Sequence, residues 1–334
     1  MGKGVAFLRA TPYLEKGLSM KRLYTHFGDR AFAGTLLLLA LGVAVLAVLM
    51  AFELYQGGSL ALSRFGLWGF ALGSQWDPVI QKSFGAWPYI LGTVLVSLSA
   101  LLLSFFPALA TAIFAAEYAP RWLAQIINFL LDLMAAVPSV VYGLWGIFVL
   151  APWIRDQVQL PLYLWAAEKA PWLLPLLGNP TGYGLMTAIL ILASMIIPFT
   201  AALARDAIAL VPREHREAAY ALGATRWEVM RMAILPLARG GIIAGAFLAL
   251  ARAIGETMAV TMVIGNSHKL PYTLFGGAAT MPSVIANEFT EAVEDLHLSA
   301  LIAVGFLLFW VSMAVNFIAA YLLRRQERLV KGVM

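Results

Sequence analysis

Long apolar runs separated by charged segments divide the chain into six stretches, each near the ~20 residues a helix needs to cross the hydrocarbon core of a bilayer. They run from Ala31 to Phe52, Pro88 to Ala116, Leu123 to Leu150, Tyr183 to Ala204, Gly240 to Ile264 and Ser299 to Leu323, and the first contains no charged residue. The pattern predicts an all-α membrane protein with six transmembrane helices. Pro107, Pro138 and Pro198 fall inside these stretches and predict kinks that free carbonyls for neighbouring groups to satisfy. Between them, Glu53 to Trp87 and Ala151 to Gly182 are too polar or too broken to span. The second holds Trp153, Trp165 and Trp172 among Pro152, Pro161, Pro171 and Pro175, which predicts short helices with indoles at headgroup depth. Contact with an external partner and a plain aromatic belt fit that composition equally well.

Composition agrees with the pattern: 61% of residues are hydrophobic, 12% are charged and the mean hydropathy is +0.82, values that exclude a soluble domain. The net charge of +5 collects beside the apolar runs, so it reports orientation rather than nucleic acid, and no nucleic-acid partner is expected. Lys3, Arg9, Lys16, Lys21, Arg22 and Arg30 precede the first run. Arg205, Arg213, Arg216, Arg226, Arg231 and Arg239 separate the fourth from the fifth, and Arg324, Arg325, Arg328 and Lys331 follow the sixth. The positive-inside rule places all three groups, and both termini, on the cytoplasmic face. The loop from Leu270 to Leu298, with Glu288, Glu291, Glu294 and Asp295, then lies outside. The first apolar run opens only at Ala31 and is too long for a signal-peptide core, so it is expected to remain as an anchor. The predicted division is a cytoplasmic segment 1–30, a membrane domain 31–323 with a cytoplasmic loop 205–239, and a cytoplasmic tail 324–334.

Within that loop, EAAYALGATRWEVMRMAILP (Glu217 to Pro236) predicts a helical hairpin. Pro212 suits the opening of a helix and Gly223 its left-handed close. Thr225 and Glu228 fit a capping box that starts a second helix, and Pro236 forbids that helix to continue without a break. An ordinary amphipathic loop has such composition too, but an aqueous docking site accounts for the whole spacing in a polytopic chain.

Motifs that are missing constrain the chemistry. The chain has no G-x-x-x-x-G-K-[ST], no H-E-x-x-H and no G-x-S-x-G, and it has no cysteine. His26, His215, His268 and His297 lack ligand spacing. No cofactor, metal site or catalytic residue is expected, the chain is read as a non-enzyme, and any ATP hydrolysis belongs to another subunit. The fifth run, ARAIGETMAVTMVIGN, places Arg252 and Glu256 four residues apart, hence on one face of a continuous helix together with Gly241, Gly245, Gly255 and Ala259. An arginine in mid-membrane costs ~2.5 to 3.5 kcal/mol on insertion scales, so it should face a bundle interior or a water-filled path. Its planar fork suits phosphate. The bland alternative is mutual neutralisation, with the glycines serving close helix packing. Asp132, with Asn128 one turn earlier, is expected to be a buried polar site that pairs with Arg252 or caps an interhelical hydrogen-bond network.

Residues Glu217, Ala218, Ala219, Gly223, Leu235 and Pro236 resemble the EAA loop by which bacterial ABC importer permeases dock their ATPase, with Ala233 standing where that family usually has Ile. The run from Arg252 through Gly255, Glu256, Thr257 and Met258 to Gly265 and Asn266 is similar to the PstC family of phosphate permeases. So are Pro138 to Gly146 (PSVVYGLWG) and Ser283 to Phe289 (SVIANEF). The resemblance implies a type I ABC importer permease fold in the bacterial inner membrane, multi-pass. It also implies pairing with a homologous permease PstA, two copies of the ATPase PstB, an external phosphate-binding protein PstS, and inorganic phosphate as cargo. Arg252 and Glu256 are the residues onto which the family's translocation role carries; Asp132 joins them as a pathway candidate. An ion-coupled secondary carrier using Glu256 for a proton, and an ABC permease for sulfate or molybdate, are the competing readings.

Overall fold

The computed structural model describes the backbone of residues 12–331 and the side chains of residues 28–321. Residues 1–11 and 332–334 of the predicted terminal segments lie outside the described residues. Residues 1–53 and 54–334 form separate units.

The first unit consists of most of the helix α1 (Pro12–Phe65), and every Leu and Val from Leu37 to Leu49 is more than half exposed, as a lipid-facing helix requires. The second unit begins within the last turns of α1 and continues through α2 (Leu67–Leu72) and a short antiparallel hairpin, β1 (Trp76–Asp77) with β2 (Ser83–Phe84). The Asp77 carboxylate accepts from the backbone N–H of Ile80 at 2.9 Å and of Val79 at 3.1 Å, which tightens the hairpin turn and holds its pKa below the usual carboxylate value. Next come α3 (Trp87–Ile113), closed by a π turn at Phe114–Tyr118, then α4 (Arg121–Ala136) and α5 (Ser139–Trp145). The predicted third span is a bent pair: residues Arg121–Ala136 and Ser139–Lys169 meet at 92°, with Pro138 at the corner. Pro107 and Pro198, in contrast, sit inside helices that run through them.

The predicted broken external stretch contains α6 (Ala151–Ile154), α7 (Leu160–Lys169) and α8 (Leu174–Leu177), with Trp153, Trp165 and Trp172 all more than half exposed. Helix α9 (Leu185–Ala209) is the best buried span and packs along α3. Val96, Ala100, Ile191, Leu192 and Ile196 form the centre of the core there. After α9 come α10 (Arg213–Ala221), α11 (Arg226–Val229), α12 (Leu235–Ile254), α13 (Met258–Val263), α14 (Met281–Glu288) and α15 (Asp295–Lys331). Among the described residues, five helices are long and apolar enough to span, and six when the bent pair counts as one, which matches the predicted number.

Residues 265–280, between α13 and α14, fold back into the bundle. Leu185 and Met186 donate their backbone N–H groups to Gly276 and Leu274, so this loop satisfies the orphan donors at the start of α9. Beside it, Glu288 is buried at 6% exposure; Trp76 Nε1 donates to its Oε2 at 2.9 Å and His297 Nε2 lies 2.8 Å from the same oxygen. Tyr89 Oη and His268 Nδ1, 2.8 Å apart, extend the network and fasten the hairpin β1–β2 to α3 and α14.

Candidate functional site

The predicted hairpin forms between α9 and α12. Pro212 is the N-cap of α10, and Gly223, at φ +83°, ends it. Gly223 donates to the Tyr220 carbonyl at 2.9 Å and Ala224 to the Ala219 carbonyl at 3.2 Å, the paired bonds of a Schellman close, which requires a left-handed residue at that place. Thr225 Oγ1 accepts from the Glu228 N–H at 3.4 Å while the Glu228 carboxylate accepts from the Thr225 N–H at 2.7 Å, so the capping box exists.

The second half of the hairpin differs from expectation. Pro236 does not stop the helix. A π turn at Met230–Ile234 precedes it, in which Leu235 donates to Met230, five residues back, and α11 runs on into α12 as one rod from Arg226 to Ile254. The wider turn accommodates a residue that has no N–H to offer an α-helical ladder. Val229, Met230 and Ile234 are buried against Ala112, Ala204 and Ile208, which seats the hairpin on the ends of α3 and α9. Ala219 and Leu235 pack against this seat, whereas Glu217, Ala218, Gly223 and Pro236 are exposed. Leu222 (90% exposed), Trp227 and Tyr220 also face outward, an apolar patch that a lone soluble loop has no reason to display.

The second candidate region corrects the reading of the fifth span. It is not one helix: α12 stops at Ile254, Gly255 to Thr257 break the ladder, and α13 restarts at Met258. Arg252 and Glu256 therefore share no helical face. Glu256 Oε1 accepts from the Ala259 N–H at 3.2 Å, satisfying a free donor at the start of α13. The Arg252 guanidinium carbon instead lies 5.4 Å from the ring centroid of Phe199 on α9. Among the described residues no carboxylate comes within 4.0 Å of Arg252, and its side chain is exposed on the surface of this chain.

Gly241 and Gly245 serve close packing: a Cβ at Gly245 would stand 2.8 Å from Leu203 Cβ, and one at Gly241 2.6 Å from Ala207 Cβ. The glycines of PSVVYGLWG act alike, since a Cβ at Gly146 would lie 2.8 Å from both Ile191 and Val263. Tyr142 of the same stretch spans the Pro138 corner by donating to the Met134 carbonyl at 3.1 Å.

Asp132 is neither buried nor joined to Arg252. Its side chain is 65% exposed and lies 3.9 Å from Arg205, which also meets Asp206 at 3.0 Å. The physical reason is the facing of α4, which packs through Leu131 against Ala108 and Ala201 and leaves the next residue round the helix outside that contact. Sequence reasoning passed over Phe199 and Glu117. A carboxylate closing the long apolar stretch PALATAIFAAEY was the available signal for Glu117, which pairs with Arg216; an aromatic in an apolar helix gives no such signal for Phe199.

A family model described as a binding-protein-dependent transport system inner membrane component matches residues 108–328. The phosphate transport system permease protein PstC of Mesorhizobium japonicum is 44% identical over 298 residues, 89% of this chain and 90% of that protein. The PstC of Pasteurella multocida is 40% identical over 307 residues, 92% and 95% of the two chains. In fold, the chain is similar to a subunit of the MetNI methionine ABC transporter in an inward-facing conformation, with a TM-score of 0.53 over 70% of this chain and 93% of that one at 18% identity. The described helices, the multi-pass pattern and these relatives fit a type I ABC importer permease, a transport subunit whose ATPase is separate. The chain belongs to the family of binding-protein-dependent transport system inner membrane components and, within it, to the PstC group of permeases.

Proposed function

We propose that this chain is the permease subunit of an ATP-driven phosphate importer, forming half of the translocation pathway. One observation carries the reading: the second arm of an exposed hairpin with an apolar patch runs on into the span that holds Arg252 as a single rod, Arg226–Ile254. At about 1.5 Å per residue such a rod carries a displacement at one end to the other with little loss. Glu217, Ala218, Gly223 and Pro236 form the exposed face that receives the ATPase, and Ala219 and Leu235 hold that face on its seat. Arg252, exposed on this chain over Phe199, presents its fork to the anion at the junction with a homologous permease, and Glu256 sets the break beside it. The Asp132–Arg205 pair lies at the hairpin end and is a weaker pathway candidate.

The partners are an ATP-hydrolysing subunit in two copies (PstB), a second permease (PstA) and an external phosphate-binding protein (PstS). The hairpin end, the termini and loop 205–239 are cytoplasmic, with 1–30 and 324–334 flanking the membrane domain. This orientation rests on the distribution of Arg and Lys.

Reconstitution of the chain with these partners in liposomes tests the proposal. Phosphate should enter only with ATP and binding protein present, ahead of sulfate and molybdate. Uptake by the chain alone under a proton gradient would replace this reading with ion-coupled carriage through Glu256.

A further inference from the structure

Arg216 points the opposite way from its neighbours on α10. Glu217 and Ala218 are exposed, while the Arg216 side chain is 22% exposed and turned into the seat of the hairpin. Its Nη2 lies 3.0 Å from Glu117 Oε1, and the same nitrogen donates to the Ile208 carbonyl at 2.9 Å. Glu117 is 18% exposed and belongs to the π turn Phe114–Tyr118 that closes α3; Ile208 lies in the last turn of α9. One guanidinium thus ties the hairpin to the ends of the two helices that pack along each other at the bundle centre.

Of the other charges beside this pair, Arg205 is engaged by Asp206 and Asp132, whereas Arg213, with no carboxylate within 4.0 Å among the described residues, lines a small cavity together with Arg205, Arg216 and Asn128. The apolar seat of Val229, Met230 and Ile234 already fastens the hairpin, so attachment alone does not require an ion pair there. A partly buried pair adds little net stability over a well-packed apolar contact, but it fixes geometry, because removing either partner leaves a partly buried charge without its counterpart. Both contacts are made by the one nitrogen Nη2, so the hairpin and the two helix ends meet at a single point.

We propose that Glu117 and Arg216 form a coupling strut that converts movement of the docking hairpin into movement of α3 and α9, so that both are positioning residues for transport. The inference rests on the hairpin being the ATPase dock.

The test uses the assembled importer in liposomes, with Glu117→Gln, Arg216→Gln and Arg216→Lys compared with the parent at equal complex abundance. Three quantities are read: ATPase retained on purification, ATP hydrolysis, and phosphate taken up per ATP hydrolysed. The strut predicts that the ATPase is retained and hydrolyses ATP in all three. Uptake per ATP should fall by about tenfold in the Gln variants, within the usual range of intersite coupling, and by less in Arg216→Lys, which keeps the charge and one donor nitrogen on a differently shaped head.

Parent-level uptake per ATP in the Gln variants overturns the strut. Loss of the ATPase from the variants but not the parent also overturns it, because the pair would then serve attachment. Failure of the parent itself to retain an ATPase removes the docking reading and the strut with it. Should the Gln variants accumulate poorly, Arg216→Lys decides: reduced uptake per ATP supports coupling, and parent-level uptake per ATP overturns it.

Discussion

Arg252 rests over the ring of Phe199, 5.4 Å from guanidinium carbon to ring centroid, rather than against the carboxylate four residues along the chain. The face of an aromatic ring attracts a cation while leaving its N–H edges unspent, so the fork keeps its donors for a planar or tetrahedral anion. A carboxylate in the same position would have occupied them.

Neutralising Arg252 should therefore weaken transport without dismantling the protein. Arg252→Gln is expected to lower phosphate uptake about ten- to a hundredfold, the value of a charge-assisted hydrogen bond of ~1.5–3 kcal/mol. Because Glu256 caps α13 instead of balancing Arg252, the double change to Gln at both positions should not recover uptake. Near-normal transport by the doubly neutral protein would show that the two charges serve only each other.

Gly223 sits at φ +83° with open space where a Cβ would go, so conformation alone limits replacement there. Gly223→Val should cost ~1–2 kcal/mol for a left-handed residue, and more because the side chain is β-branched, whereas Gly223→Asn should be mild. Co-purification of the ATPase with each variant checks the order; equal retention by Val and Asn would argue that the turn is not part of the docking face.

Glu288 accepts from Trp76 and lies against His297 inside the protein. Glu288→Ala should strand the indole N–H at a cost of ~1–3 kcal/mol and lower thermal stability in detergent. Glu288→Gln keeps a carbonyl acceptor and should lose less. Indistinguishable melting of the two variants would mean that neither the acceptor nor the bulk of this side chain holds the β1–β2 hairpin.

Orientation can be read with single cysteines, since the chain has none of its own. Ile80 and Val293, 85% and 92% exposed, suit one face, and Leu222, 90% exposed, suits the other. An impermeant thiol reagent added to intact cells should label Ile80→Cys and Val293→Cys but spare Leu222→Cys. The opposite pattern would invert the assignment made from Arg and Lys.

Much of this architecture was legible because a bilayer imposes length and polarity on each crossing. The six apolar stretches, the Gly223 close and the Thr225–Glu228 box all follow from local rules and all appear. Local rules failed where a deviation needed a partner to become visible. Gly255, Glu256 and Thr257 do interrupt the apolar run, but a charged residue there reads equally well as one face of a continuous helix, and the turn that passes Pro236 leaves no mark in composition. An apolar stretch suggests an interior place for Asp132, but α4 turns Leu131 inward against Ala108 and Ala201 and leaves Asp132 exposed. Which groups face Arg252 depends on how α9 and α12 pack, and periodicity along either helix is silent about that.

The π turn at Met230–Ile234 amounts to one residue more than an α-helix would use between Trp227 and Leu237. Each residue turns an α-helix by about 100°, so this surplus sets the bearing of Leu222 and Trp227 relative to every side chain further along α12. Orientation of the hairpin is thus kept by counting, independently of what the intervening side chains are. Shortening the turn by deleting Ala233 would leave each apolar contact chemically available yet swing the hairpin about a quarter of the way round its axis. Substitutions at the exposed positions of the turn, Arg231 and Met232, are correspondingly cheap, while changes in its length are not: those positions tolerate spelling errors and not missing letters.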